Sequence, residues 1–339
     1  MKILIVTDAY FPQVNGVVRT LNETGKKLEA MGHEVEYLNP QLFFTVPMPK
    51  YNEIRLSVNI WPRVSHLIKK INPSAIHIAT EGPLGFMARR YCLKNNLKFT
   101  TSFHTRFDKY MKLYLPWVPE KLSQKFLSNF HNKAEKILVT TESMKKELIQ
   151  IGVDESKMVV WTRGADHGSF KNPKKINLEY KRPIWIYVGR VAIEKNIRAF
   201  LNLKLEGTKL LVGKGPDIEK LKKEFPDAHF LGEKTNGELA SYFTSSDVFV
   251  FPSKTDTFAI VICESLSCGT PVAAFPVPGP KDIFKDSEIN CLDEDLEKSA
   301  IKALKVEREK CLEYSKNFTW DKTAAVSYTH LTLPTICSV

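Results

Sequence analysis

The chain has 339 residues, of which 43% are hydrophobic and 26% are charged. This length predicts two domains of about 150 residues each, and the composition excludes an intrinsically disordered chain. The opening apolar run, ILIV, is too short for the core of a signal peptide, and prolines and glycines interrupt the long uncharged stretch at residues 265–280. We therefore expect a cytoplasmic protein without a transmembrane helix.

The net charge of +11 is unevenly distributed along the chain. Residues 1–170 hold 24 Lys and Arg against 15 Asp and Glu, a net +9, whereas residues 171–339 hold 25 against 23, a net +2. A basic first half suggests either a nucleic acid or an anionic lipid surface as partner, and a solvated basic face without a partner is the alternative. The six cysteines have no metal-ligand spacing, so we expect no metal site built from them.

Short β-rich runs alternate with helical patterns through the first half of the chain. The predicted helices cover residues 16–31, 83–95 and 142–151, and they separate most of the runs KILIVT, HEVEYL, AIHIAT, LKFTTS, KILVTT and MVVW. This alternation predicts a parallel sheet. We assign residues 1–167 to this first domain.

One segment of the first domain has an ambiguous pattern. Residues 113–136, LYLPWVPEKLSQKFLSNFHNKAEK, place Leu, Trp, Val and Phe among repeated Lys with helical spacing. Such a helix is typical of a membrane interface. The alternative is a core-facing amphipathic helix with Lys on its solvent side, and the pattern alone favours it.

A polar linker, KNPKKINLEYK at residues 171–181, precedes a second series of strand-like runs. These runs are IWIYVG, TKLLVG, AHFLG, DVFVF and PVAAF, again separated by helical lengths. They predict a second α/β domain over residues 168–322. Because open α/β sheets bind ligands at the carboxyl ends of their strands, we expect functional residues on the loops after strands, in a cleft between the two domains.

The stretch PSKTDTFAIVICESLSCG follows the strand DVFVF and leads from a polar loop into an apolar helix. Amides at such a helix start, which we assign to Phe258 and Ala259, can bind a diphosphate. Glu264 lies about 10 Å further along the helix, where it can bind the hydroxyls of a ribose while Asp256 holds a sugar. The alternative is that Asp256 only caps the helix and Glu264 faces solvent.

The loop VGRVAIEKN follows the first strand of the second domain and carries Arg190 and Lys195. Arg offers a planar fork of donors and Lys a mobile point charge, two complementary ways of holding phosphate oxygens as a leaving group becomes negative. Solvated surface cations are the alternative for both residues.

The chain resembles the retaining glycosyltransferases of family 4 in a series of motifs: DAYFPQVNGVVRT, SFHTRFDKY, WTRGADHGSF, YVGRVAIEKN, VGKGP and the D-x7-E pair. The likeness extends from Met1 to about Lys322. It implies the α/β GT-B fold, in which two Rossmann-like domains with parallel sheets face each other across a cleft. It also implies metal-independent transfer of a hexose from a nucleoside diphosphate sugar, without a cofactor and with retention by attack on the donor's own face.

The resemblance implies a donor site in the second domain. Its residues are Arg190 and Lys195 at the diphosphate, Glu264 at the ribose, and Asp256, Phe258 and Ala259 at the sugar and phosphates. Two of them depart from the family, because Glu is usual where Asp256 stands and Gly is usual where Ala259 stands. We therefore expect altered geometry near the sugar.

In the first domain the resemblance implies that Gly16 closes over the diphosphate, since a glycine lets helix-start amides approach phosphate closely. His104 is expected near the transferred sugar, with an ordinary structural histidine as the alternative. Asp8 and Arg106 are possible acceptor contacts, although Asp8 alternatively caps a turn. Arg163 is expected to pack at the crossing between domains.

The end of the chain departs from the family pattern. Residues 324–339, AAVSYTHLTLPTICSV, contain no charged residue, although NFTWDKTAA resembles the start of the family's closing helix. We expect this helix to stop early and residues 323–339 to be a non-native tail that resembles translated vector or adapter sequence. A native β-rich tail is the alternative.

The HTRFDKY and TDTF versions of the motifs are most similar to glycolipid-forming members, such as mannosyl- and sulfoquinovosyl-transferases that act on diacylglycerol or phosphoinositide. We therefore expect a UDP- or GDP-sugar donor, a lipid acceptor, and contact between the first domain and the anionic inner face of the plasma membrane. The alternatives are a transferase for a soluble or cell-envelope oligosaccharide and a non-catalytic sugar-nucleotide-binding protein. No nucleic-acid partner is expected, because recognisable nucleic-acid-binding modules are missing.

Overall fold

The computed structural model describes residues 1–13, 15–48, 51–114, 117–165, 167–170 and 173–336. The chain divides into two compact units, one formed by Met1–Thr162 with Trp320–Val339 and the other by Arg163–Thr319. The division therefore lies at Thr162 rather than at residue 167, and the last helix belongs to the first unit.

The first unit is built around a parallel sheet. Its strands are β1 (Lys2–Val6), β2 (Glu34–Leu38), β3 (Phe44–Met48), β4 (Tyr51–Val58), β5 (Ala75–Ile78), β6 (Thr100–Phe103), β7 (Lys136–Val139) and β8 (Met158–Val160). Its helices are α1 (Gly16–Ala30), α2 (Arg63–Ile71), α3 (Pro83–Lys94), α4 (Phe107–Tyr114), α5 (Glu120–His131), α6 (Glu142–Gln150) and α15 (Trp320–Ile336). The sheet order is β2-β1-β5-β6-β7-β8, and β3 pairs with β4 in a separate antiparallel hairpin that the sequence pattern did not predict.

Both faces of this sheet are covered by helices, as is usual for parallel sheets. Successive residues of β1 point to opposite faces. Leu4 and Val6 pack in one buried cluster with residues of α2 and α3, and Ile3 and Ile5 pack in another with residues of α1 and α15. The continuous apolar run at the start of the chain is therefore explained by burial on both sides.

The second unit repeats this plan with a five-stranded parallel sheet. Its strands are β9 (Ile184–Val188), β10 (Thr208–Val212), β11 (His229–Phe230), β12 (Val248–Phe251) and β13 (Val272–Ala274), in the order β11-β10-β9-β12-β13. Its helices are α7 (His167–Phe170), α8 (Ile197–Leu201), α9 (Ile218–Glu224), α10 (Asn236–Ser245), α11 (Ile260–Ser267), α12 (Pro280–Ile283), α13 (Leu296–Ala303) and α14 (Arg308–Ser315). Every strand-like run of the sequence corresponds to a strand, which confirms the predicted parallel sheets.

The central strand of the second sheet, β9, is buried on both sides. Ile184, Ile186 and Val188 pack with residues of α10 and α11. Trp185 and Tyr187 point the other way and pack with residues of α8 and α13. Because β9 and β12 are neighbours in the sheet, the loops that follow them leave the same edge side by side.

The last helix contradicts the expectation that the helical pattern stops early. Helix α15 continues to Ile336, and it packs on α1 and β5. Its Ala324 and Leu331 are buried, and the carbonyl oxygen of Thr323 accepts a 3.0 Å hydrogen bond from the indole nitrogen of Trp161. That residues 323–339 are non-native stays a prediction.

The ambiguous segment forms α5, whose inner face is buried through Ser123, Leu127 and Phe130. Its outer face is mixed rather than purely basic. The exposed positions combine cations and apolar side chains: Lys121, Leu122, Lys125 and Phe126. Residues 115 and 116, which join α4 to this region, lie outside the described residues. No helix among the described residues is both long and apolar enough to cross a bilayer.

Gly85, in the first turn of α3, allows a close contact that fixes this helix against the sheet. A Cβ at this position would lie 1.8 Å from the carbonyl oxygen of Thr80. We expect Gly85→Ala to lower the free energy of unfolding by about 1–3 kcal/mol, because helix and backbone must move apart. Calorimetric unfolding checks this value.

Gly237→Ala is the matched control, since this helical glycine has no neighbouring atom within 4 Å of a Cβ. It is expected to stabilise the chain by about 0.5–1 kcal/mol through helix propensity. Equal effects of the two substitutions would show that the contact with Thr80 does not hold α3.

Candidate active site

The loop after β9 carries Arg190 and is held by main-chain contacts with the VGKGP loop after β10. The amide of Gly189 donates to the carbonyl of Val212 at 3.0 Å, and the amide of Val191 donates to the carbonyl of Lys214 at 2.9 Å. Gly213 has φ of +142°, and a Cβ there would lie 1.9 Å from the oxygen of Gly189. The backbone that presents Arg190 therefore depends on a glycine in the adjacent loop.

The structure brings Lys195 and Asp256 together. Lys195 ends a 3₁₀ turn, Ile193–Lys195, and its Nζ lies 2.6 and 2.8 Å from the two carboxylate oxygens of Asp256. Each side chain is only 18% exposed. The pair therefore joins the loop after β9 to the loop after β12.

Two neutral hydrogen bonds reinforce this junction. The amide nitrogen Nδ2 of Asn196 donates to the carbonyl of Pro252 at 3.0 Å, and the hydroxyl of Thr255 donates to the carbonyl of Glu194 at 3.2 Å. These two bonds join the loops without involving the side chains of the charged pair.

Asp256 does not cap α11, so that alternative is wrong. The N-cap of α11 is Ala259, and it has no side-chain capping bond. Ala259 lies in the left-handed region, with φ of 71° and ψ of 71°. This conformation costs an L-residue roughly 1–2 kcal/mol, a cost that the glycine usual in the family avoids. The helix begins at Ile260, and in its first turn the amide of Ile262 donates to the carbonyl oxygen of Ala259 at 2.9 Å.

Glu264 does not face solvent, which excludes the second alternative. It is 3% exposed, and its neighbours Cys263 and Ser265 are fully buried. Burial raises the pKa of the Cys263 thiol well above its ordinary value, and the charge of Glu264 adds to that effect. Glu264 lies on the helix that follows the loop with Asp256, at the edge of the sheet where α/β proteins bind ligands, and this position makes it a candidate for ligand binding.

Gly16 begins α1 and is exposed, but the preceding residue already occupies part of this helix start. Oδ1 of Asn15 accepts hydrogen bonds from the amides of Val17 and Val18, both at 3.0 Å. Fewer amides are therefore left for an anion than the motif suggested. The sequence did contain this signal, since Asn is among the best N-cap residues.

His104 follows β6, where its side chain is half-buried. Its Nε2 lies 2.8 Å from the hydroxyl of Ser102, and its ring meets the ring of Trp161 edge to face at 5.7 Å. Sequence analysis singled out His104 but missed Ser102, whose signal was its position two residues earlier on the strand.

Asp8 follows β1 and is committed to the start of α3. Its Oδ1 accepts from the amide of Leu84 at 2.9 Å, and its Oδ2 accepts from the hydroxyl of Thr80 at 2.9 Å and from the amide of Gly85 at 3.3 Å. Burial raises the pKa of Asp8 to about 6, although these hydrogen bonds oppose the shift. Asp8 thus acts as a cap, as the alternative reading of the sequence proposed, and it caps the start of α3.

Arg106 is buried and faces two carboxylates. Its Nε and Nη2 lie 2.9 and 2.7 Å from the oxygens of Asp108, and its Nη1 contacts Glu147. Burial alone would raise the pKa of Asp108, but hydrogen bonds and charge from Arg106 lower it below its ordinary value. The structure therefore gives Arg106 a local structural role, and its contact with an acceptor stays a prediction.

The Asp8 carboxyl makes stability depend on pH. Because the pKa of Asp8 is about 6 in the fold against 3.8 for a free Asp side chain, folding favours the protonated form, and the stability that this form contributes is lost as pH rises through this interval. We expect Asp8→Asn to gain stability relative to the unsubstituted chain by up to about 3 kcal/mol between pH 4 and pH 7. Denaturant unfolding across this range measures the difference.

The exposed Asp227 provides a control. The stability difference between Asp227→Asn and the unsubstituted chain is expected to stay nearly constant over the same range. A pH-independent difference for Asp8→Asn, or one of opposite slope, would contradict the assignment of Asp8 as a carboxyl with a raised pKa.

In the part of the chain that the structure describes, no group of three or more His, Cys, Asp or Glu side chains is arranged to hold a metal ion. The elements described above are instead hydrogen-bond donors, cations and carboxylates at strand ends and helix starts. Such an arrangement can bind phosphates and hydroxyl groups.

Known protein families match nearly the whole chain. The family model "Glycosyltransferase Family 4" matches residues 14–169, and the model "Glycosyl transferases group 1" matches residues 169–318. The sulfoquinovosyl transferase SQD2 of Arabidopsis thaliana is 29% identical over 84% of this chain, which spans only 61% of that protein.

This chain spans a larger share of the length of two bacterial relatives. A GDP-mannose-dependent alpha-mannosyltransferase of Mycolicibacterium smegmatis is 26% identical over 84% of this chain and 82% of its own length. The alpha-monoglucosyldiacylglycerol synthase of Streptococcus pneumoniae is 24% identical over 90% of this chain and 78% of its own length.

Solved structures share the fold. Sucrose-phosphate synthase from Thermosynechococcus elongatus aligns with a TM-score of 0.77 at 17% identity, covering 99% of this chain and 100% of that one. Anabaena HepE in complex with UDP and glucose aligns with a TM-score of 0.70 at 14% identity, covering 98% and 100%. The consecutive family matches and this shared GT-B fold confirm the resemblance inferred from the motifs, and the chain belongs to the family 4 glycosyltransferases.

Proposed function

We propose that the chain is a retaining, metal-independent glycosyltransferase that moves a hexose from a nucleoside diphosphate sugar to the hydroxyl of a membrane lipid. The observation that carries the proposal is the junction of Lys195 with Asp256, next to the start of α11 and its buried Glu264. These groups follow neighbouring parallel strands, where α/β sheets bind nucleotides. Relatives named as transferases of sulfoquinovose, mannose and glucose support the class of reaction.

In the proposed reaction, Arg190, Lys195 and the amides at the start of α11 stabilise the diphosphate as it leaves. Fixed charges and dipoles near the strand ends require little reorganisation when negative charge develops. Glu264 accepts hydrogen bonds from the ribose hydroxyls, and Asp256 accepts from the transferred sugar. The acceptor oxygen bonds to the anomeric carbon as the bond from that carbon to the diphosphate breaks, and a donor phosphate oxygen takes the acceptor proton. Because the attack comes from the donor's own face, the mechanism uses no nucleophile of the enzyme and no cofactor.

The donor is a UDP- or GDP-hexose. A relative is named for its dependence on GDP-mannose, and a protein of the same fold is described in complex with UDP and glucose. The residues described above are assigned to the diphosphate, the ribose and the sugar. The base is therefore identified by testing a panel of donors.

We expect Glu264→Gln to lower transfer by about 100-fold, because each lost charge-assisted hydrogen bond to the ribose is worth about 1.5–3 kcal/mol. The measurement is transfer and hydrolysis with UDP- and GDP-hexoses, with and without vesicles that contain diacylglycerol and an anionic phospholipid. Glu224→Gln is the control, since Glu224 pairs with Arg198 on the surface of the same unit.

The possible outcomes separate the proposals. Transfer that needs vesicles supports a lipid acceptor, whereas transfer to soluble saccharides alone supports the oligosaccharide alternative. Donor binding without turnover under every condition would favour a non-catalytic sugar-nucleotide-binding protein. Unchanged transfer by Glu264→Gln would remove Glu264 from the donor site.

The outer face of α5 supports a lipid acceptor. Leu122 is 61% exposed and Phe126 is 38% exposed, and the two lie one helical turn apart. Lys121 and Lys125 are exposed beside them at the same spacing. Trp117, just before the helix, is 74% exposed. Apolar side chains flanked by lysines are typical of a helix that lies on an anionic membrane surface.

We expect the double substitution Lys121→Gln with Lys125→Gln to weaken binding to anionic vesicles about 30-fold, since each Lys near such a surface contributes about 1 kcal/mol. Leu122→Ser with Phe126→Ser should weaken binding at high salt as well, because it removes apolar rather than electrostatic attraction. Vesicle cosedimentation at two salt concentrations measures both effects.

Lys69→Gln with Lys70→Gln is the matched control, because these lysines are exposed at the end of α2 in the same unit. It changes the net charge equally. If both lysine pairs weaken binding to the same extent, the attraction arises from overall charge and α5 is not the membrane-binding face.

A further inference from the structure

A chain of buried polar side chains leads through the first unit to His104. The residues are Thr100, His77, Ser102 and His104, and we call them the histidine network. The hydroxyl of Thr100 lies 2.9 Å from Nδ1 of His77, and Nε2 of His77 lies 3.0 Å from the hydroxyl of Ser102. That hydroxyl lies 2.8 Å from Nε2 of His104. Thr100, His77 and Ser102 are at most 2% exposed, so solvent does not compete for these bonds.

The hydrogens of the network can be counted at Ser102. Its hydroxyl contacts three groups, namely His77, His104 and the carbonyl oxygen of Ala79 at 3.4 Å. A hydroxyl has one hydrogen to donate and two lone pairs to accept with. A carbonyl oxygen can only accept. All three contacts are made only if Ser102 donates to Ala79 and both imidazoles donate from Nε2.

This assignment fixes the tautomers of both histidines. With Nε2 protonated, Nδ1 of neutral His77 must accept, and the Thr100 hydroxyl is positioned to donate to it. By the same reasoning Nδ1 of neutral His104 carries no hydrogen and is an acceptor. Protonation of His104 would therefore turn only Nδ1 from an acceptor into a donor, because Nε2 donates to Ser102 in both states.

Trp161 restricts the movement of both rings. Its indole contacts His77 and His104 edge to face, with centroids 6.2 and 5.7 Å apart. The indole is itself fixed by burial and by its hydrogen bond to the carbonyl of Thr323. The ring of His104 is thus oriented by a hydrogen bond on one nitrogen and by an aromatic contact.

We propose that Ser102 and His77 are positioning residues that hold the ring of His104 in one orientation, with its proton on Nε2 and with Nδ1 in the acceptor state. The proposal rests on the proposed function and on the expectation from the family resemblance that His104 lies near the transferred sugar. Ser102 and His77 act through His104 and touch no substrate themselves. A buried hydrogen-bond partner on one ring nitrogen commonly sets the tautomer of a functional imidazole.

The tautomers are tested first, without any activity measurement. Histidine is labelled with ¹⁵N, and long-range ¹H–¹⁵N correlation spectra are recorded at a pH where the rings are neutral. Assignment uses His77→Gln and His104→Gln. We expect Nε2 to be protonated in both rings, and we expect Ser102→Ala to give His104 a mixture of tautomers. A proton on Nδ1 of His104 in the unsubstituted chain would overturn the proposal.

His131→Gln is the control for these spectra. His131 is also buried, and its two ring nitrogens contact the side chains of Thr101 and Glu81. Neither of these partners belongs to the histidine network. Its substitution should leave the ring nitrogen signals of His104 unchanged. A change as large as that of Ser102→Ala would mean that general loosening of the unit, and not the network, sets the tautomer.

Kinetics then test whether the positioning matters for transfer. We expect Ser102→Ala to lower kcat by about 10- to 100-fold with little change in the KM of the donor, and Ser102→Thr to restore most of the loss. In a His104→Gln background, Ser102→Ala should have no further effect. Equal losses in both backgrounds would overturn the proposal, since Ser102 would then act independently of His104.

The two experiments separate this proposal from the function on which it rests. If the unsubstituted chain transfers no sugar from any donor, the proposed function fails, while the tautomer measurement still decides whether the network orients His104. If transfer occurs but Ser102→Ala is as active as the unsubstituted chain, the proposed function stands and the positioning role fails.

Discussion

The contact between Lys195 and Asp256 holds together the loops on which the candidate donor site depends. The two residues are 61 positions apart in the chain, and they meet because β9 and β12 are adjacent parallel strands whose carboxyl ends share one edge of the sheet. The bonds from Asn196 to Pro252 and from Thr255 to Glu194 keep this geometry with neutral partners. The loops that carry Lys195 and Asp256 are therefore joined by other bonds besides the ion pair. Such support is needed if one of the two charged side chains is to bind a ligand.

A diphosphate would redistribute the interactions of this pair. Lys195 has three donor hydrogens, so it can keep one bond to Asp256 and direct others to phosphate oxygens. Asp256 would then have lone pairs for sugar hydroxyls, which carry no charge and do not repel it. The strained Ala259 lies where the loop enters α11, and its Cβ adds bulk where the family usually has glycine. The loop thus combines a paired cation and carboxylate with a strained, bulkier helix start.

Much of this arrangement could be predicted from the sequence, and the limits have physical reasons. The strands were readable because strands buried on both faces form uninterrupted apolar runs. Asp256 and Glu264 were noticeable because carboxylates are costly in apolar surroundings. The role of Asp8 at α3 was not predictable in detail, since its partner Leu84 is 76 residues away. The same applies to Arg106, whose partner Glu147 lies on another helix, and to α5, because a helical pattern alone cannot say which apolar residues stay exposed.

The two units present different chemistry at their strand ends. In the second unit, cations and carboxylates dominate, which suits a charged diphosphate next to hydroxyl-rich sugars. In the first, the buried cation Arg106 is neutralised by Asp108 and Glu147, and His104 is held by a neutral hydroxyl. Lysines on the outer face of α5 carry part of the excess positive charge of the first half, where water and salt screen it. Recognition of a neutral hydroxyl and attraction to an anionic surface can thus be combined in one unit, because the first relies on short hydrogen bonds and the second on charges exposed to solvent.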